Sequence, residues 1–98
     1  MPLTEQLLHK LKTLFSTQPV EKAWIFGSFA RGEETDSSDI DIMVSYLPES
    51  RLGLFGITRL KLAIEDIVGR KVDLVERGRL FPRVQKEVEN QKVIIYER

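Results

Sequence analysis

The sequence predicts an α+β fold of two layers, a small mixed β-sheet with helices packed on it, formed as a single domain over residues 1–98. Three observations carry this. Apolar residues recur at helical spacing near the N-terminus and again in the middle of the chain. Short apolar runs rich in Val and Ile stand between those stretches and after them. The two kinds of segment alternate, which argues for helices laid on a sheet. A chain of 98 residues fits one compact domain and is too short for two ordinary ones.

Leu3, Leu7, Leu8, Leu11, Leu14 and Phe15 form one apolar stripe, so residues 3–16 read as an amphipathic helix that "STQP" ends. "KAWIF", residues 22–26, reads as a buried strand, and Gly27 breaks it. "SFARG" offers one helical turn and "EETDSS" a polar loop. Residues 39–45, "DIDIMVS", alternate, with Ile40, Ile42 and Val44 on one face. "YLPES" is a turn. Ile57, Leu60, Ile64, Ile67 and Val68 mark a second long helix, closed by Gly69 as C-cap. "KVDLVE", residues 71–76, is a third strand. Pro82 suits a first helical turn, and Phe81, Val84 and Val88 give the apolar side of a short third helix. "KVIIYE" is a terminal strand that either pairs or simply docks.

The stretch "GSFARGEETDSSDIDIMV", Gly27 to Val44, needs a chemical explanation. Side chains at i and i+2 of a strand share a face, so Asp39 and Asp41 project together, away from Ile40 and Ile42. Two carboxylates this close repel one another, and burying them unpaired is costly. A hard dication between them resolves the conflict, because magnesium takes one or two carboxylates with phosphate oxygens and water completing its shell. Asp73, between Val72 and Leu74, is a third carboxylate in an apolar strand. If the two strands are neighbours, Asp73 completes a site for two metal ions about 3.5–4 Å apart, the arrangement used for in-line displacement at phosphorus. Gly27 lets the backbone approach a ligand closely. Ser28 offers a hydroxyl and an N–H at the start of a helical turn, and Arg31 suits a phosphate.

Gly27 and Gly32 have P-loop spacing, but Glu33 and Glu34 stand where lysine and Ser/Thr belong, so a P-loop is rejected. "DSSDIDIMV" lacks the glycine and the spaced ligands of an EF-hand. A solvated edge-strand face would explain Asp39 and Asp41 alone, but not together with the Gly-Ser turn and Asp73. His9, the single histidine, lies on the polar side of its helix and reads as a surface residue. Trp24 and Phe26 read as core. Arg77, Arg79, Arg83 and Lys86 form a basic run, usually a solvated face, with a phosphate or partner contact as the minority reading. Leu52, Leu54 and Phe55 are either core or a partner patch.

Fifteen Lys and Arg balance fifteen Asp and Glu, which argues against gripping nucleic acid through the whole surface. With no cysteine there is no disulfide or thiolate zinc site. "MPLTEQLLHK" has neither a basic leader nor a long apolar run, and no segment approaches the ~20 apolar residues of a membrane span. A cytoplasmic location is the expectation.

The Gly27-Ser28 pair followed by a loop and an Asp39-x-Asp41 strand resembles the signature of the polymerase-beta-like nucleotidyltransferase superfamily. The fuller match, Gly27-Ser28-x-Ala30-Arg31-Gly32 with Ser38-Asp39-x-Asp41, resembles its minimal nucleotidyltransferases, and "GRKVDLVERG" with Asp73 is similar to their third-carboxylate strand. The motifs run from about Trp24 through Glu76, and no catalytic position departs from the pattern. The resemblance implies the nucleotidyltransferase fold, a triphosphate held by Gly27 and Ser28, and magnesium, two ions, held by Asp39, Asp41 and Asp73. It further implies Asp73 as the residue that helps activate an acceptor hydroxyl.

Minimal members of this kind often sit beside a HEPN protein as the antitoxin of a toxin–antitoxin pair, and some transfer AMP onto a tyrosine of the toxin to silence its RNase activity. The resemblance therefore implies an ATP-using, Mg2+-dependent enzyme with a HEPN toxin as acceptor, and no nucleic acid or membrane as direct partner. The alternative is a binding module that neutralises its partner by occlusion. Transfer to a small molecule such as an aminoglycoside is the weaker third reading, for want of an acceptor domain.

Overall fold

The computed structural model describes residues 3–98. Its elements, in chain order, are α1 (Glu5–Ser16), β1 (Val20–Phe26), α2 (Gly27–Arg31), β2 (Ile40–Tyr46), α3 (Leu54–Val68), β3 (Val72–Glu76), α4 (Pro82–Gln91) and β4 (Val93–Glu97). The strands form one sheet in the order β3-β2-β1-β4. β1 pairs antiparallel with β2 and β4, and β2 pairs parallel with β3. The sheet is therefore mixed, as the sequence predicts, and the terminal strand pairs rather than docks. A parallel pair needs a crossover, and α3 supplies it.

Alternation along the strands sorts the core into two parts. Ala23 and Ile25 of β1 and Ile40, Ile42 and Val44 of β2 join Leu11 and Phe15 of α1 and Leu60 and Ile64 of α3 in one buried cluster. Trp24 and Met43, one residue out of phase, pack with Val88 of α4 in a second cluster. The opposite face of the sheet is thus covered in part by α4, and the carboxylates are on that same face.

Local chemistry explains the boundaries. Thr4 is the N-cap of α1, its Oγ1 accepting from Leu7 N at 3.1 Å, so the helix begins at Glu5 rather than at Leu3. Leu3 is nevertheless buried. Gly69 ends α3 in the left-handed conformation, φ +70°, as its place in the sequence predicts. Pro82 takes the first turn of α4. The apolar side assigned to that helix is mostly wrong. Val88 is buried, but Phe81 is 81% exposed and Val84 is exposed as well. Val88 joins the Trp24–Met43 cluster, whereas Phe81 and Val84 do not. Leu54 and Phe55 are exposed at the start of α3, which removes them from the core, while Leu52 packs against it. No helix among the described residues is long and apolar enough to cross a membrane.

Candidate active site

The register of the sheet brings the predicted residues together. Phe26 of β1, Asp41 of β2 and Asp73 of β3 are Cα partners across three strands, one row beyond Trp24, Met43 and Val75. Partners in neighbouring strands share a face, so this row stands on the side carrying Trp24 and Met43. α4 covers the inner row through Val88 and leaves the outer row open. Phe26, read as core, is half-buried at the edge of that cluster and directly alongside Asp41. The sequence alone gave no signal for this, because the pairing of β1 with β2 is a long-range property.

Gly27 follows Phe26 with φ +72° and sits against the Asp41 carboxylate. A Cβ at Gly27 would overlap Asp41 Oδ2 and stand 3.1 Å from Asp41 Cγ. The glycine is therefore required twice over, for its backbone conformation and for the close approach. The turn "SFARG" is a short helix that ends at Gly32, again left-handed, and buries Phe29. Ser28 is half-buried beside Gly27.

Asp41 sits in the field of the other two carboxylates. Asp41 is held above the usual carboxylate range by its burial, then by the charges of Asp73 and Asp39, with Arg31 pulling the other way. Asp39 precedes β2 by one residue instead of opening it, and it is exposed, as is Asp73. The three are neighbours but not a closed cage. Among the described residues, no three His, Cys, Asp or Glu side chains stand close enough as placed to hold a metal ion. Like charges push exposed carboxylates apart when no cation lies between them. The donor set itself fits a hard dication: it is all oxygen and mutually repelling, and the Asp41 carboxyl is raised by its burial and by the charges of Asp73 and Asp39.

Arg31, predicted for phosphate, is occupied in this state. Its Nε donates to Glu33 Oε1 at 2.7 Å and its Nη1 to Gln91 Oε1 at 3.0 Å. An exposed pair of this kind is worth roughly 0–1 kcal/mol, so it exchanges readily for a polyanion. The basic run is dispersed. Arg77 pairs with Glu89 and lies over the Trp24 ring at 5.0 Å, and Arg79 pairs with Glu76. His9 is exposed, as predicted. A cleft of about 610 Å³ lined by Tyr46, Arg51, Glu76 and Arg79 lies at the opposite ends of β2 and β3 from the aspartates.

Residues 9–98 match the family described as polymerase beta, nucleotidyltransferase. A Methanocaldococcus jannaschii chain provisionally named protein adenylyltransferase MJ0435 is 32% identical over 88 residues, covering 90% of this chain and 92% of its own length. Protein adenylyltransferase MntA of Thermococcus cleftensis is 33% identical over 76 residues, 78% of this chain and 75% of its own. Among solved structures, a toxin–antitoxin complex with AMP-PNP superposes with a TM-score of 0.78 at 22% identity, over 93% of this chain and 73% of that one. A complex of tri-AMPylated Shewanella oneidensis HEPN toxin with its MNT antitoxin gives 0.72 at 19% identity, over 96% and 72%. At those identities the two structures speak for the fold.

Proposed function

The chain belongs to the polymerase beta nucleotidyltransferase family, and from that premise we propose that it is a Mg2+-dependent protein adenylyltransferase, moving AMP from ATP to a tyrosine hydroxyl of a HEPN toxin as its antitoxin. The observation that carries the reading is the close approach of Gly27 to Asp41 together with the pairing of Asp41 and Asp73, so that a bare glycine backbone, a half-buried carboxylate and a register-paired second carboxylate meet.

In this reading Asp39, Asp41 and Asp73 hold the magnesium ions. Bound there, magnesium supplies charge neutralisation for the triphosphate and a lowered pKa for the acceptor hydroxyl. Gly27 presents its bare backbone to the triphosphate at the end of β1, and Ser28 binds it through its hydroxyl and N–H. Arg31 leaves Glu33 for a phosphate oxygen. Asp73, exposed at the end of the row, takes up the acceptor proton. The acceptor oxygen bonds to the α-phosphorus, the bond to the bridging oxygen breaks, and pyrophosphate leaves with its negative charge. The protein's contribution is positioning and electrostatic complementarity.

The openness of the site supports a macromolecular acceptor. Asp39 and Asp73 are exposed, so a docked partner can bring its hydroxyl to them and exclude water. The names of the relatives, protein adenylyltransferases, and the AMPylated HEPN toxin held by a neighbour of the same fold, support AMP as the group and HEPN as the partner class.

The test is direct. The protein, Mg2+, α-labelled ATP and a HEPN protein from the same operon are incubated, and the partner is read by intact mass. The proposal predicts one or more added AMP groups on the partner, abolished by Asp41→Ala. Unlabelled but fully silenced partner, equally with Asp39→Ala/Asp41→Ala, would establish occlusion instead.

A further inference from the structure

Arg70 stands in "GRKVDLVERG" with no role assigned to it from the sequence, yet it touches both approaches to the carboxylates. It stands between Gly69, the left-handed stop of α3, and Lys71. Its Nη1 donates to three carbonyls of the loop that leads into Asp39: Thr35 O at 2.9 Å, Ser38 O at 3.1 Å and, more distantly, Asp36 O at 3.4 Å. The guanidinium also lies 5.0 Å from the centre of the Phe29 ring, the buried residue of α2. The backbone on either side of it is pinned. Gly69 N donates to Glu65 O at 2.8 Å, and Val72 N to Glu65 Oε2 at 2.9 Å. Ile40 N donates to Lys71 O at 3.0 Å, which starts the parallel ladder that sets Asp41 opposite Asp73.

We propose that Arg70 is a positioning residue for the metal-binding carboxylates: it staples the Thr35–Ser38 loop, and hence Asp39, to the segment that enters β3 and carries Asp73. The proposal rests on the reading of Asp39, Asp41 and Asp73 as the metal-binding set. The loop is polar, mostly exposed, and closed only by its own short hydrogen bonds, Ser38 N to Thr35 O at 3.0 Å and Thr35 N to Ser38 Oγ at 2.8 Å. Such a loop holds its shape but not its place. The guanidinium fixes the place, because its Nη1 satisfies more than one carbonyl at once while the planar group lies over the Phe29 ring. Lysine, a compact point charge on a flexible stem, lacks that planar face. Partners behind metal ligands commonly matter about 10–100-fold in metal affinity.

Two readouts test it, one without metal. Amide hydrogen exchange is followed at residues 33–40, and Mn2+ binding to the metal-free protein is followed by electron paramagnetic resonance, for wild type, Arg70→Ala, Arg70→Lys and the exposed-surface control Lys61→Ala. The expected result is faster exchange in this loop and about ten-fold weaker Mn2+ binding for Arg70→Ala. Arg70→Lys falls between it and the wild type, and Lys61→Ala matches the wild type. Unchanged loop exchange in Arg70→Ala overturns the staple. A freed loop with wild-type Mn2+ affinity overturns its role in positioning. If Arg70→Ala does not fold, Arg70→Lys decides both points on the same criteria. Failure of the wild type to bind Mn2+ would count against the metal reading itself, and the staple is then judged on loop exchange alone.

Discussion

Asp41 and Gly27 occupy one another's space: the carboxylate fills the position where a side chain at Gly27 would begin. Gly27→Ala therefore meets two penalties. The backbone at φ +72° disfavours any Cβ, by about 1–2 kcal/mol, and the new methyl must push Asp41 aside. The expected outcome is a lowered denaturant midpoint and loss of nucleotidyl transfer together, measured by urea unfolding and the AMP-transfer assay.

Asp41→Asn separates stability from activity. The folded Asp41 carboxyl is held above its usual range by burial, Asp73 and Asp39, so the folded state keeps its proton longer than the unfolded chain. That contribution is complete at low pH and is lost as pH rises through the folded pKa. Asparagine is neutral throughout. In chelator, at neutral pH, Asp41→Asn is expected to be more stable than the wild type, by an amount on the order of 0.5–1 kcal/mol given partial exposure. The difference should shrink on acidification, and transfer activity should be lost. Thermal midpoints as a function of pH check this.

Glu89 gives the opposite sign. Hydrogen bonds from Lys92 and Arg77 hold its carboxyl below the usual range. Arg77 and Lys92 also lie over the Trp24 ring. The stability this contributes is present above the unfolded pKa and is lost as pH falls through the folded one. Glu89→Gln is expected to cost about 0.5–1 kcal/mol at neutral pH and nothing once the wild-type carboxyl is protonated. Emission from Trp24, the single tryptophan, should change in the variant at neutral pH.

Arg98 caps α1 from the far end of the chain. Its guanidinium donates to Val20 O at 3.1 Å and to Gln18 O at 2.8 Å, with longer contacts to Ser16 O at 3.3 Å and Phe15 O at 3.5 Å. Positive charge at a helix C-terminus is favourable. Arg98→Ala is expected to cost about 1–2 kcal/mol in urea unfolding and to leave Mn2+ binding unchanged, because the contact is on the opposite side of the sheet from Asp41.

Local signals were legible in the sequence where the physics is local. The left-handed stop at Gly69, the first-turn Pro82 and the period-2 pattern of Ile40, Ile42 and Val44 each became the element they imply. The pairing of Asp41 with Asp73 followed from the assumption that their strands are neighbours, which the register bears out. What was not legible depends on contacts between distant residues. Arg70 reaches carbonyls more than thirty positions earlier, and nothing in "GRKVD" distinguishes it from a surface arginine. Phe81 and Val84 carried a helical apolar pattern but found no partner, since periodicity reports what a helix can bury and not what faces it. Arg31 met its neighbour Glu33 and also Gln91, a contact that depends on the packing of α2 against α4.

The central claim is that Asp39, Asp41 and Asp73 hold metal against a triphosphate at Gly27. Crystals grown with Mn2+ and a non-hydrolysable ATP analogue, with data collected at the manganese edge, test it most directly. The account predicts anomalous peaks coordinated by oxygens of Asp39 and Asp41, with Asp73 on the same cluster and the triphosphate against Gly27 and Ser28. Peaks and nucleotide seated instead in the arginine-lined cleft beside Tyr46, or at no protein carboxylate, would contradict it.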